Sequence, residues 1–170
     1  TDPVTTLTPA LADSLGGGAG LTGRLASAFG IGATLSVVAI MRLRSRFGPR
    51  LHSALGMCAL VLGHLLTASF ATVTTAAIGM ALAGAGFIHA ISTLNTSLQL
   101  RVDDAERGRV MALWSVALLG LRPIAAAIHG SVADEFGIRT AMVIGAAWAL
   151  LGALGILRSG LHRPRSTRAG

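Results

Sequence analysis

The sequence predicts an all-α membrane protein, a polytopic bundle of five transmembrane helices, and three observations lead to that expectation. Hydrophobic residues make up 52% of the 170-residue chain and charged residues only 12%, about half the roughly 25% usual for soluble domains. Apolar stretches of about 20 residues recur along the chain, the length an α-helix needs to cross ~30 Å of hydrocarbon. Arginines are gathered into the connectors between those stretches, dense in every second connector and sparse in the others.

Taken in order, residues 1–20 read as a polar, Gly-rich outer loop. Thr1, Asp2 and Pro3 offer no basic run leading into an apolar one, so the start is unlike a signal peptide and reads as a cut from something longer. Spans are expected at about 21–41, 51–71, 76–100, 110–130 and 138–157, followed by a basic tail at 158–170. The segments are rich in Ala, Leu and Gly with no strict alternation, which favours helices over the strands of an outer-membrane barrel. Small residues at Gly30 and Thr34, at Gly79 and Ala83, and at Gly152 with Gly155 would let helix backbones approach closely.

Orientation follows from the arginines, which stay on the cytoplasmic side of short loops. The first connector carries Arg42, Arg44, Arg46 and Arg50, the third Arg101, Arg107 and Arg109, and the tail Arg158, Arg163, Arg165 and Arg168. Against these stand only Arg24 and Arg139. The N-terminus is therefore expected outside and the C-terminus in the cytoplasm, with the lipid bilayer as surroundings and with upstream helices missing. The net charge of +7 does not point to nucleic acid, because the basic residues sit between apolar runs and lack interleaved aromatics. The single Cys58 allows neither a disulfide framework nor a cysteine metal site. No phosphate loop, catalytic triad or metal cluster is apparent, so neither a cofactor nor an enzyme is expected.

Local chemistry refines this layout. Asp103 can cap the fourth span's helix, with Glu106 three residues on to complete a capping box. Pro123 removes a backbone donor within that helix, so a kink is expected near Leu119. Arg122 lies near mid-span, where an Arg costs about 2.5–3.5 kcal/mol, so it should face a cavity or partner rather than lipid. No Asp or Glu lies within a span. The counter-ion of Arg122 is then a backbone carbonyl, such as those freed by Pro123, a carboxylate from the missing half, or an anionic substrate. On the third span His89, Ser92, Thr93, Thr96 and Gln99 recur at spacings of three and four, with Asn95 beside them, and form one stripe. Such a stripe either lines a watery path or supplies ordinary hydrogen bonds between helices. His89 is its candidate proton carrier, since imidazole titrates near neutral pH. Trp148, mid-span, reads as a packing residue.

The run Thr93 to Arg109, TLNTSLQLRVDDAERGR, followed by VMALWSVALLGLRP, resembles the region between the tenth and eleventh helices of major facilitator superfamily transporters, especially drug and siderophore exporters. Asn95 and Gln99 stand at the polar helix end, Asp103, Asp104 and Glu106 in the acidic turn, and Arg107, Gly108 and Arg109 in the Arg-Gly-Arg that follows. Ser45 to Arg50 looks like a degenerate copy of the superfamily's Asp-Arg-x-Gly-Arg loop, with Ser45 where the acid would be. The resemblance implies that the five spans are helices eight to twelve of a twelve-helix transporter, missing its N-terminal helices. It further implies alternating access around a central site, a small-molecule substrate, outward transport driven by protons, and cytoplasmic gating roles for Arg46, Arg50, Arg107 and Arg109. A non-transporting membrane scaffold or assembly subunit is the competing expectation.

Overall fold

The computed structural model describes residues 3–43, 49–69 and 72–158, and every regular element among them is helical. Two short helices, α1 (Pro3–Thr6) and α2 (Thr8–Ser14), precede five long ones: α3 (Ala19–Leu43), α4 (Pro49–Ser69), α5 (Val73–Gln99), α6 (Asp104–Phe136) and α7 (Ile138–Arg158). The long helices fall on the five expected spans. Four of them, α3, α5, α6 and α7, contain stretches long and apolar enough to cross a membrane; the apolar stretch of α4, Ser53–Ser69, is shorter. Their outer surface is apolar as well, with Leu35 63%, Met41 76%, Leu113 64% and Trp148 66% exposed. Water would penalise that surface by roughly 25 cal/mol per Å² and lipid would not. The fold is a polytopic helical bundle, and Trp148 faces out of it rather than packing within it.

Residues 1–20 depart from the expected loop, because they contain α1 and α2. Val4, Leu7, Leu11 and Leu15 follow one another at helical spacing, and Pro9 starts α2 where a missing N–H does no harm. Val4 and Leu11 are fully buried and Leu7 nearly so. They join Leu21 and Leu25 of α3, Ala68 of α4, Ala76 and Met80 of α5 and Ala141 and Met142 of α7 in one apolar cluster, against which Val132 and Ala133 of α6 also pack. Those positions are near the N-terminal ends of α3, α5 and α7 and the C-terminal ends of α4 and α6, and so share one end of the bundle. The Arg139 guanidinium at the start of α7 also donates to the Ser69 carbonyl at the end of α4 (3.4 Å), which ties the α4–α5 and α6–α7 connectors to that end.

Within the bundle α5 packs against α3 and α4, α4 also against α7, and α7 against α6. Glycine makes the α5 contacts possible. Gly32 and Gly84 bring α3 and α5 together at Ala81 and Phe29, and Gly63, Gly79 and Gly86 bring α4 and α5 together at Ala83, Thr67 and Leu60. A Cβ on Gly63 would stand 2.7 Å from Ala83 Cα and 2.8 Å from the Gly79 carbonyl oxygen. The close approach expected at Gly79 and Ala83 is thus present. Gly30, Gly152 and Gly155 instead have nothing within 4 Å of a would-be Cβ, because each turns away from the neighbouring helix.

The helix ends differ from expectation in one respect. Asp103 occupies the N-cap of α6, yet its side chain makes no capping hydrogen bond; the Glu106 amide bonds the Asp103 carbonyl instead (3.0 Å). A complete capping box forms at the start of α5, where the Thr75 amide donates to Thr72 Oγ1 (3.2 Å) and the Thr72 amide to Thr75 Oγ1 (3.0 Å). α6 stays helical through Pro123, whose ring leaves the Leu119 carbonyl without its usual donor. Gly137 then makes the turn into α7 with φ of 85°, a region open to glycine and strained for other residues.

Candidate functional site

Polar side chains are scarce inside this bundle, so their placement is informative. Ser36 of α3, 4% exposed, has its hydroxyl 3.0 Å from the Ala85 carbonyl and 2.7 Å from His89 Nδ1. A carbonyl cannot donate and the hydroxyl has one proton. Both bonds are satisfied together only when Ser36 donates to Ala85 and His89 donates from Nδ1. The imidazole is thereby held as the Nδ1–H tautomer. Gly56 of α4 lies against the same ring, and a Cβ there would fall on His89 Cβ, Cγ and Cδ2. Three helices therefore meet at His89, and only glycine at 56 leaves room for the ring.

The rest of the α5 stripe runs from this junction toward the end of the helix next to Arg101. Thr93 and Asn95 are partly covered; Ser92, Thr96 and Gln99 are exposed. Gln99 Nε2 lies 3.4 Å from Asn95 Oδ1, a marginal bond one turn apart. The stripe thus begins in a packed junction and ends on open surface. Neither Ser36 nor Gly56 was singled out from the sequence. The first span also carries Thr22, Ser27 and Thr34, so nothing in the sequence sets Ser36 apart, and the pairing depends on how three helices are rotated against one another.

Two further histidines of the long helices, His64 and His129, are turned to local use. His64, 2% exposed, and His129, 9% exposed, hold their Nδ1 atoms 2.8 Å and 2.7 Å from the carbonyls of Leu60 and Ala125, one turn back on their own helices. A carbonyl is an acceptor only, so Nδ1 carries the proton in both.

Arg122 is exposed on α6, and none of the described residues hydrogen-bonds or ion-pairs with it. The carbonyls near Pro123 do not engage it. The main neighbours of α6 are α7 and α1, so Arg122 is not brought together with the α5 stripe. Arg107 pairs with Asp104 one turn earlier, both exposed, a contact worth about 0–1 kcal/mol. Arg109 is exposed. Arg46 and the side chain of Arg50 lie outside the described residues.

A bundle of lipid-length helices with an apolar exterior, a half-buried inter-helix histidine and a polar stripe defines a multi-pass membrane protein of the transporter class rather than a soluble domain. The family model for transmembrane secretion effectors, of the major facilitator type, matches residues 2–168, and the chain belongs to that family. Its surroundings are a lipid bilayer. No curated protein matches it, and no solved structure does.

Proposed function

We infer that the chain is the C-terminal part of a secondary transporter that exports a small organic molecule across the cytoplasmic membrane in exchange for protons, as in drug and siderophore exporters. The observation that supports this best is the α5 stripe, which leads from the Ser36–His89–Gly56 junction to the exposed end near Gln99. A polar track inside an otherwise apolar bundle is costly unless polar groups travel along it. His89 is the coupling group: a proton added to its imidazole places a charge where three helices meet, and that charge favours a state in which the helices part and water enters. Ser92, Thr93, Asn95, Thr96 and Gln99 line the path. Arg107 and Arg109, with Arg46 and Arg50, brace the cytoplasmic face. The positive-inside asymmetry puts Arg46, Asp104 and Arg165 in the cytoplasm and residues 1–20 outside.

The competing reading, a membrane scaffold, draws on the same Ser36–His89 bond, since a fixed hydrogen bond between helices is also what a purely structural pair provides. The two separate in one experiment. In inverted vesicles containing the full-length protein, pH-gradient-driven movement of a fluorescent organic substrate is followed at several external pH values for the wild type, His89→Ala and Arg122→Ala. A transporter coupled through His89 loses its pH dependence in His89→Ala while the protein remains in the membrane. Identical pH profiles in all three would assign both residues to structure and favour the scaffold.

A further inference from the structure

We propose that Ser36 is the positioning residue of the proton-coupling step, holding the His89 imidazole in one tautomer and one place while the ring gains and loses its proton; this rests on the coupling role given to His89 above. The first observation is that the hydroxyl is fully committed. Ser36 is 4% exposed, and its one proton goes to the carbonyl of Ala85 (3.0 Å), one turn before His89 on the same helix. Only lone pairs remain on the oxygen, and His89 Nδ1 lies 2.7 Å away, so the oxygen can only accept from the ring. A freely turning hydroxyl would serve either tautomer. One held by Ala85 serves the Nδ1–H form alone.

The second observation is that α4 closes on the same ring. A Cβ built on Gly56 would stand 2.7 Å from Cγ and 2.9 Å from Cδ2 of His89. The ring is carried by α5, held at Nδ1 from α3 and confined by the backbone of α4. The third is what happens as the ring titrates. Neutral imidazole in this tautomer and imidazolium both donate from Nδ1, and a charged donor makes the shorter and stronger bond to the same oxygen. Ser36 therefore keeps its hold when the proton arrives, and α3 and α5 stay joined at this level in both protonation states.

The other ionisable groups nearby are differently disposed. Within α5 itself His89 is the one ionisable side chain, and the helices packed against α5 are α3 and α4. On α3, Arg24 and Arg42 lie about 18 and 9 Å from Ser36 along the axis. On α4, Cys58 is exposed and points about 160° away from Gly56, while His64 sits about 12 Å further along and is bonded to the Leu60 carbonyl (2.8 Å). The side chains of Arg50 and His52, at the start of α4, lie outside the described residues. A tie that served structure alone would support the fold equally well at every pH, whereas a positioning residue enters the pH profile of transport.

Two measurements on the full-length protein test this. In inverted vesicles, gradient-driven movement of ethidium is followed against pH. Ser36→Ala should shift the pH of half-maximal rate by about half a unit or more, and Gly56→Ala, which presses on the ring from α4, should shift it as well. Ser36→Thr, which keeps a hydroxyl, should return it toward the wild-type value. In detergent, nitrogen NMR of histidine-labelled protein, with His89 assigned by the signal lost in His89→Ala, should show the Nδ1–H ring in the wild type and a mixture of tautomers in Ser36→Ala. Should Ser36→Ala not reach the membrane, Gly56→Ala carries both readouts. A wild-type pH profile in Ser36→Ala beside a lowered unfolding midpoint overturns the proposal and leaves Ser36 a structural tie; so does an Nδ1–H ring that persists without the hydroxyl. The reading beneath it fails differently. If the wild type moves no ethidium, or His89→Ala keeps the wild-type profile, His89 is not the coupling group and Ser36 falls with it, whereas a flattened profile in His89→Ala beside an unmoved one in Ser36→Ala removes Ser36 alone.

Discussion

The packing of α4 on α5 makes a prediction whose sign reverses between glycines that look alike in sequence. Gly63→Ala places a methyl group where Ala83 Cα stands 2.7 Å and the Gly79 carbonyl oxygen 2.8 Å away. Ordinary contact begins near 3.4 Å and the Ala83 nitrogen is closer still, so the two backbones must separate by more than about 0.7 Å; none of these atoms belongs to a flexible side chain that could swing aside. Overpacking of this kind costs about 1–3 kcal/mol, which for a chain of this size lowers the unfolding midpoint by roughly 2–12 °C at about 2–4 °C per kcal/mol. Gly152→Ala, with nothing within 4 Å, should instead gain about 0.5–1 kcal/mol from the smaller conformational freedom of the unfolded chain. Thermal unfolding of the two variants in detergent, followed by the fluorescence of Trp114 and Trp148, measures both. If Gly63→Ala and Gly152→Ala shift the midpoint in the same direction, backbone-to-backbone approach is not what glycine provides at position 63.

Removing the Ser36 hydroxyl leaves the His89 Nδ1–H without its acceptor, and Ser36→Ala should destabilise by about 0.6–1.7 kcal/mol; a double-mutant cycle with His89→Ala should return a coupling energy near that value, and additive effects would dissolve the pair. Leu11→Ala, at a fully buried position of α2, should cost about 2–5 kcal/mol and expose residues 4–15 to protease in the native protein; unchanged digestion would mean that α1 and α2 do not seal the bundle end. Thr72→Ala breaks the α5 capping box and should cost about 0.5–2 kcal/mol, whereas Asp103→Ala at the N-cap of α6 should cost less because its side chain makes no capping bond; equal losses by thermal unfolding would contradict the difference between the two ends.

How much of this could be read beforehand varies by residue for physical reasons. The long helices were legible because lipid imposes a length, and the composition of Leu21 to Leu157 follows it without reference to any neighbour. The short helices were not. Val4, Leu7 and Leu11 have helical spacing, but Gly16 to Gly18 and several hydroxyl residues lower the local hydropathy, and the period is only evident once the bundle end they cover is present. Asp103 shows a finer limit: sequence located the helix start, yet whether a carboxylate turns back to cap it depends on a rotamer that sequence leaves open. Gly79 and Gly152 are equivalent as small residues and opposite in role, since which face of a helix meets a neighbour is settled by packing alone. The same ambiguity bears on Arg122. Mid-span position predicts that it avoids lipid but not what it meets, and carbonyls freed by Pro123 are as good an answer from sequence as a partner on another helix, although among the described residues nothing bonds to it.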